Sequence, residues 1–144
     1  MDSEIYGVVV APIMTIPDER GMVIKIPPAQ FTVEDVYCTT VRQHKIKAFH
    51  GYLTKNLFWS CIKGLVKFVL IDGRVCSPTH GLIETIYLGE GSMHSVYVPC
   101  GVFNGFQGIS QEDAIMVVQA DEPYGQIYRQ PIDFHGYDWT LKNG

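Results

Sequence analysis

Charge is scarce in this sequence and never blocked: Asp, Glu, Lys and Arg make up 18% of 144 residues, with 11 basic against 15 acidic side chains. A net charge of −4 and an isoelectric point near 5.6 supply no cationic footprint for a polyanion, which argues against a specific nucleic-acid role. Long hydrophobic runs are missing too. The longest, such as Phe68 to Ile71 and Ile115 to Val118, fall far short of the roughly 20 apolar residues that span a bilayer, so no membrane span is expected. MDSEIYGVVV shows no charged segment leading into a long apolar one and a small-residue cleavage site, and a cytoplasmic protein is expected. Cys38, Cys61, Cys76 and Cys100 lack the CxxC spacing of zinc and redox sites and are expected to be reduced, structural thiols. There is no internal repeat, linker or low-complexity segment, and the length suits one domain spanning residues 1–144.

Short strand-like runs fill the chain instead. EIYGVVVAPIMTI, GMVIKI, KIKAFHGY, LFWSCIKGLVKFVLI, GLIETIYLG, HSVYVPCG and AIMVVQA are rich in Val, Ile, Tyr, Phe and Thr, which suit a pleated surface. DERG, IDGR, GEGS and EPYG punctuate them as turns. Only SQEDA, with Ser110 and Asp113 spaced like a capping box, hints at one helical turn. The pattern predicts an all-β sandwich or jelly roll.

One histidine stands out. In KIKAFHGY, strict alternation puts Ile46, Ala48, His50 and Tyr52 on one face and Lys45, Lys47, Phe49 and Gly51 on the other. Such a histidine is either a core residue bonded to a backbone carbonyl or a general base in the mouth of a barrel. A metal-ligand role is disfavoured, because the HxH pair and the PxGxxH segment of metal-binding cupins are incomplete. His50 is followed by Gly51 and Tyr52, and VPCGVFNG carries Asn104 where the later histidine would fall, a poor ligand for Zn or Fe.

DERG at 18–21, KIKAFHGY at 45–52, SPTHG at 77–81, YLGEG at 87–91, VPCGVFNGFQ at 98–107 and PIDFHGYDW at 131–139 come in one order and spacing. Together they resemble the dTDP-4-dehydrorhamnose 3,5-epimerase family. The resemblance implies a metal-free, cofactor-free, cupin-type jelly roll, a homodimer, acting on a nucleoside-diphosphate 4-keto-6-deoxy sugar with dTDP as the favoured nucleotide. It implies His50 as the base that removes a proton beside the ketone and Asp133 as the carboxylate that orients it. By the same resemblance Arg20 contacts phosphate, Lys47 replaces an arginine at the cost of bidentate geometry, Asn104 replaces a histidine while keeping an amide donor, and Lys55 stands near the lysine that supports the enolate oxygen.

The departures shape the expected reaction. Val118 falls where the family carries a tyrosine, the acid on the opposite sugar face, and Tyr52, Tyr97 and Tyr124 would each need a different approach to the ring. Val23 and Lys25 replace residues that help hold the nucleoside. Inversion at one carbon, C3 rather than C5, is therefore expected. A ketoisomerase of the same fold and a catalytically lapsed binding module are the alternatives.

Overall fold

A computed structural model describes residues 1–123 and 125–143. Tyr124 lies outside the described residues. The strands are β1 Val9–Pro12, β2 Met14–Asp18, β3 Gly21–Lys25, β4 Asp35–Val41, β5 Ile46–Tyr52, β6 Leu57–Lys63, β7 Leu65–Asp72, β8 Ile83–Gly89, β9 His94–Val98, β10 Val102–Gly108, β11 Ala114–Ala120 and β12 Ile127–Arg129. One antiparallel sheet runs β1-β9-β6-β11-β4 and a second β12-β5-β10-β7-β8, while β2 and β3 form a separate hairpin. The all-β sandwich expected from the alternation is present. SQEDA forms no helix: Ser110 Oγ instead accepts the Leu65 amide and donates to the Glu112 carbonyl.

The run LFWSCIKGLVKFVLI is two strands, because the chain turns at Gly64 and crosses from one sheet to the other. Gly64 has φ +75°, and a Cβ there would lie 2.8 Å from both Ala114 Cα and Ser110 Oγ. Its two halves meet again in the core. Trp59 of β6 packs against Phe68 of β7 and Phe106 of β10, at ring separations of 5.6 and 5.5 Å. Burying a side chain of this size stabilises by about 1.5–3 kcal/mol, and Leu70, Leu88, Val96, Met116 and Val118 extend the same interior.

A second, smaller cluster covers the outside of the second sheet. Phe49, Val69 and Ile71 pack beneath the C-terminal segment, where Trp139 and Phe134 lie 5.5 and 6.0 Å from the Phe49 ring. Trp139 Nε1 donates to the Ile132 carbonyl and ties that segment down. Of the cysteines, Cys61 is buried, Cys100 half-buried, and Cys38 and Cys76 exposed; all four are free thiols. Among the described residues no helix is long and apolar enough to cross a membrane.

Candidate active site

The face of β5 departs from simple alternation. Opposite β10, Asn104 pairs with His50 but Phe106 pairs with Lys47, so β5 carries one extra residue at this point. Such a bulge reverses the side-chain parity beyond it. Lys47, expected on the face away from His50, therefore shares its face, and Ile46 and Ala48, expected beside His50, pack on the outer cluster with Phe49.

What results is a cavity of about 170 Å³ lined by Tyr37 and Thr39 of β4, Lys47, His50 and Tyr52 of β5, Trp59, Phe106, and Ile127 and Arg129 of β12. It opens between β4 and β12, the facing edges of the two sheets. A complete small-molecule site has roughly 300–1,000 Å³, so the space suits a sugar ring whose remaining parts extend through the mouth. A larger cleft of about 390 Å³ lies between the β2–β3 hairpin and Lys63, Glu90 and Glu112. Its Lys63 and Glu112 form an exposed ion pair at 3.8 Å.

The electrostatics favour a neutral base. Half-buried His50 is held below the ordinary histidine value, first by loss of solvent and then by the positive charges of Arg129 and Lys47. Arg129 stands directly opposite His50 in the β12–β5 register. Lys47 Nζ donates to Thr39 Oγ1 at 3.0 Å, joining the two sheets beside the cavity. Tyr37 is pushed the other way: burial, and then the neighbouring Tyr52 hydroxyl, raise its phenol and keep it protonated.

Among the described residues, Asn104 and Trp59 are two of the four side chains with a buried polar atom that has no hydrogen-bond partner. The Asn104 side chain, 1% exposed, has neither its amide N–H nor its oxygen bonded, and Trp59 Nε1 is likewise unpaired. Asn104 faces the interior with Val102 and Phe106, by the period of two along β10. Trp59 lines the cavity, whereas Asn104 lies behind its lining residues.

Lys55 is buried just before β6, with Nζ 4.6 Å over the Tyr52 ring, so it supports a cavity residue from behind. Arg20 stands at the tip of the β2–β3 hairpin, its side chain 90% exposed and paired only with Asp18, and does not line the cavity. Asp133 does not meet His50. Its exposed side chain makes no hydrogen bond to the imidazole and belongs to the segment whose Phe134 packs on Phe49, on the outer face of the sheet. Phe49 and His50 are neighbours on a strand and point to opposite faces, so docking on one carries Asp133 away from the other. Tyr37, Thr39, Trp59, Phe106 and Arg129 were not singled out from sequence, and the tyrosine and arginine come from strands that the sequence patterns did not reveal.

The family model described as dTDP-4-dehydrorhamnose 3,5-epimerase matches residues 2–141. A probable low-salt glycan biosynthesis epimerase of Haloferax volcanii is 23% identical over 119 residues, covering 78% of this chain and 76% of that protein. The dTDP-4-dehydrorhamnose 3-epimerase of Streptomyces niveus is 42% identical over 76 residues, 51% of this chain and 37% of that one. The crystal structure of a dTDP sugar isomerase from Desulfovibrio desulfuricans superposes with a TM-score of 0.87 at 25% identity, covering 94% of this chain and 92% of the other.

Proposed function

Because the chain belongs to the dTDP-4-dehydrorhamnose 3,5-epimerase family, we propose that it inverts one carbon, C3, beside the ketone of a nucleoside-diphosphate 4-keto-6-deoxy sugar, with dTDP as the favoured nucleotide. The observation that carries this reading is His50 in a ring-sized cavity, kept neutral by burial and two cations. A proton beside a ketone leaves only because the electron pair it abandons is delocalised onto the ketone oxygen as an enolate. A neutral imidazole takes that proton, and the positive charges of Lys47 and Arg129, which line the cavity beside it, favour the oxyanion. Lys55 acts through Tyr52, whose ring it underlies.

Restriction to C3 is supported by the 42% identity with the Streptomyces niveus 3-epimerase over half of this chain. Exposed Val9, Met14, Ile16, Met22 and Val23 on β1, β2 and β3 support a homodimer, and Arg20 on that hairpin is then the residue we assign to the diphosphate. One observation favours a second reading, a binding module without catalysis: among the described residues no carboxylate lines the cavity beside His50.

The test is incubation of the protein with a nucleoside-diphosphate 4-keto-6-deoxy sugar in deuterated water, followed by NMR. Deuterium entering C3 with inversion is the expected result, and His50→Asn should reduce it by at least about 10²-fold, the lower range for a positioned base. Migration of the carbonyl would identify a ketoisomerase instead. Binding without exchange would identify the lapsed module.

A further inference from the structure

Inverting a carbon requires a base on one face of the ring and a proton donor on the other. His50 approaches from the second sheet. Val118, 0% exposed in the core, has no proton to give. Yet in the β4–β11 register its direct partner is Tyr37, and in the β11–β6 register it is Trp59. Residues paired across antiparallel strands project from the same face. Tyr37, Val118 and Trp59 therefore form one interior row, with a phenol one strand, roughly 4.8 Å, away from the valine. Tyr37 and Trp59 both line the cavity that holds His50, and they do so from the facing sheet.

We propose that Tyr37 is the catalytic proton donor on the ring face opposite His50, supplying from β4 the phenol that Val118 leaves out of β11. The assignment rests on the epimerase reading above. The His50 imidazole takes the C3 proton, and the C–H electron pair moves into the enolate. The enolate carbon then takes the proton of the Tyr37 hydroxyl from the other side. Phenolate and imidazolium return to their starting forms by exchange with solvent, which reaches Tyr37 because 37% of it is exposed. Nothing is oxidised or reduced.

Tyr52 is the competing phenol. It lies two residues from His50 on the same strand and face, and so approaches the ring from the side of the base, with Lys55 Nζ occupying its own ring face. Of the two phenols that line the cavity among the described residues, Tyr37 is the one that comes from across the sandwich. Burial and the Tyr52 hydroxyl keep the Tyr37 phenol protonated at neutral pH, as a donor requires.

The deuterium experiment on Tyr37→Phe tests the assignment. His50 still removes and returns the proton on its own face, so deuterium should enter C3 of the uninverted substrate. Inverted product should fall by about 10²–10⁴-fold, the contribution of a positioned donor, with KM changed little. The exchange Tyr37→Val with Val118→Tyr conserves side-chain volume across the strand pair and should restore part of the inversion. Inverted product from Tyr37→Phe at the wild-type rate would overturn the proposal, as would loss of inversion in Tyr52→Phe alone. If the wild-type protein exchanges no deuterium, the failure lies in the epimerase reading, and the Tyr37 assignment falls with it.

Discussion

Arg129 faces His50 directly across the β12–β5 ladder, so the histidine we propose as the base has a permanent cation rather than a carboxylate as its cross-strand neighbour. A carboxylate would favour the imidazolium and raise the histidine; a guanidinium does the reverse. Together with burial, which is the larger cause, it keeps the imidazole free to accept a proton below the pH at which an ordinary histidine is half charged.

The acid limb of kcat/KM should therefore fall below pH 6.5, the ordinary histidine value. Activity is retained above that midpoint and lost as pH falls through it, because protonation removes the base. Arg129→Gln should move the midpoint up, though not fully to 6.5, since burial remains; Arg129→Lys should leave it near its original place. A midpoint unmoved in Arg129→Gln would show that the guanidinium does not govern the base.

Asp133 offers a sharp contrast. With its side chain exposed and unbonded to His50, Asp133→Asn should keep kcat close to wild type and leave the acid limb where it is. A loss of about 10²-fold or more, the scale of general base catalysis, would show that Asp133 reaches His50 during turnover.

How far the site could be read in advance follows from which strands announce themselves. β6, β7, β8 and β11 are dense in Val, Ile, Leu and aromatics, and their existence is legible from composition. β4, DVYCTTV, is an edge strand with mostly exposed residues; β10, VFNGFQG, carries two glycines and an asparagine; β12 has three residues. None presents an apolar alternation, because edge position, close packing or brevity relieves it of the need. Tyr37 and Arg129 went unseen for that reason. His50 was legible because it interrupts an apolar strand, whereas the inward turn of Lys47 depends on a bulge that forms only once β10 is in place.

Asp72 should anchor stability rather than chemistry. Fully buried, it accepts bonds from Arg74 Nε at 2.9 Å, Ser77 Oγ at 2.6 Å and Thr79 Oγ1 at 2.7 Å. Burial alone would raise its carboxyl, but the Arg74 guanidinium and the two hydroxyls hold it well below the usual range. The stabilisation is present above the unfolded value, 3.8, and lost as pH falls below it toward the folded one. Asp72→Asn should cost about 2–4 kcal/mol in urea unfolding at neutral pH, a few charged hydrogen bonds combined less than additively. It should also flatten the acid dependence. An unchanged urea midpoint would show the network to be dispensable.

The bulge that turns Lys47 inward depends on a close approach between β10 and β5. A Cβ on Gly105 would lie 2.4 Å from Ala48 Cβ and 3.0 Å from both Ala48 Cα and Phe49 Cδ1. Gly105→Ala must therefore push β5 away beside His50. Overpacking of this kind costs about 1–3 kcal/mol. A displacement of about 1 Å at a reacting group can cost 10²-fold in rate, so activity should suffer more than the fold. Adding Ala48→Gly removes the closest of the three clashes, and the double variant should recover part of both losses, a coupling that distant sites would not show. If Gly105→Ala were as active as the wild type, or if Ala48→Gly gave it no relief, the contact would not be what positions His50.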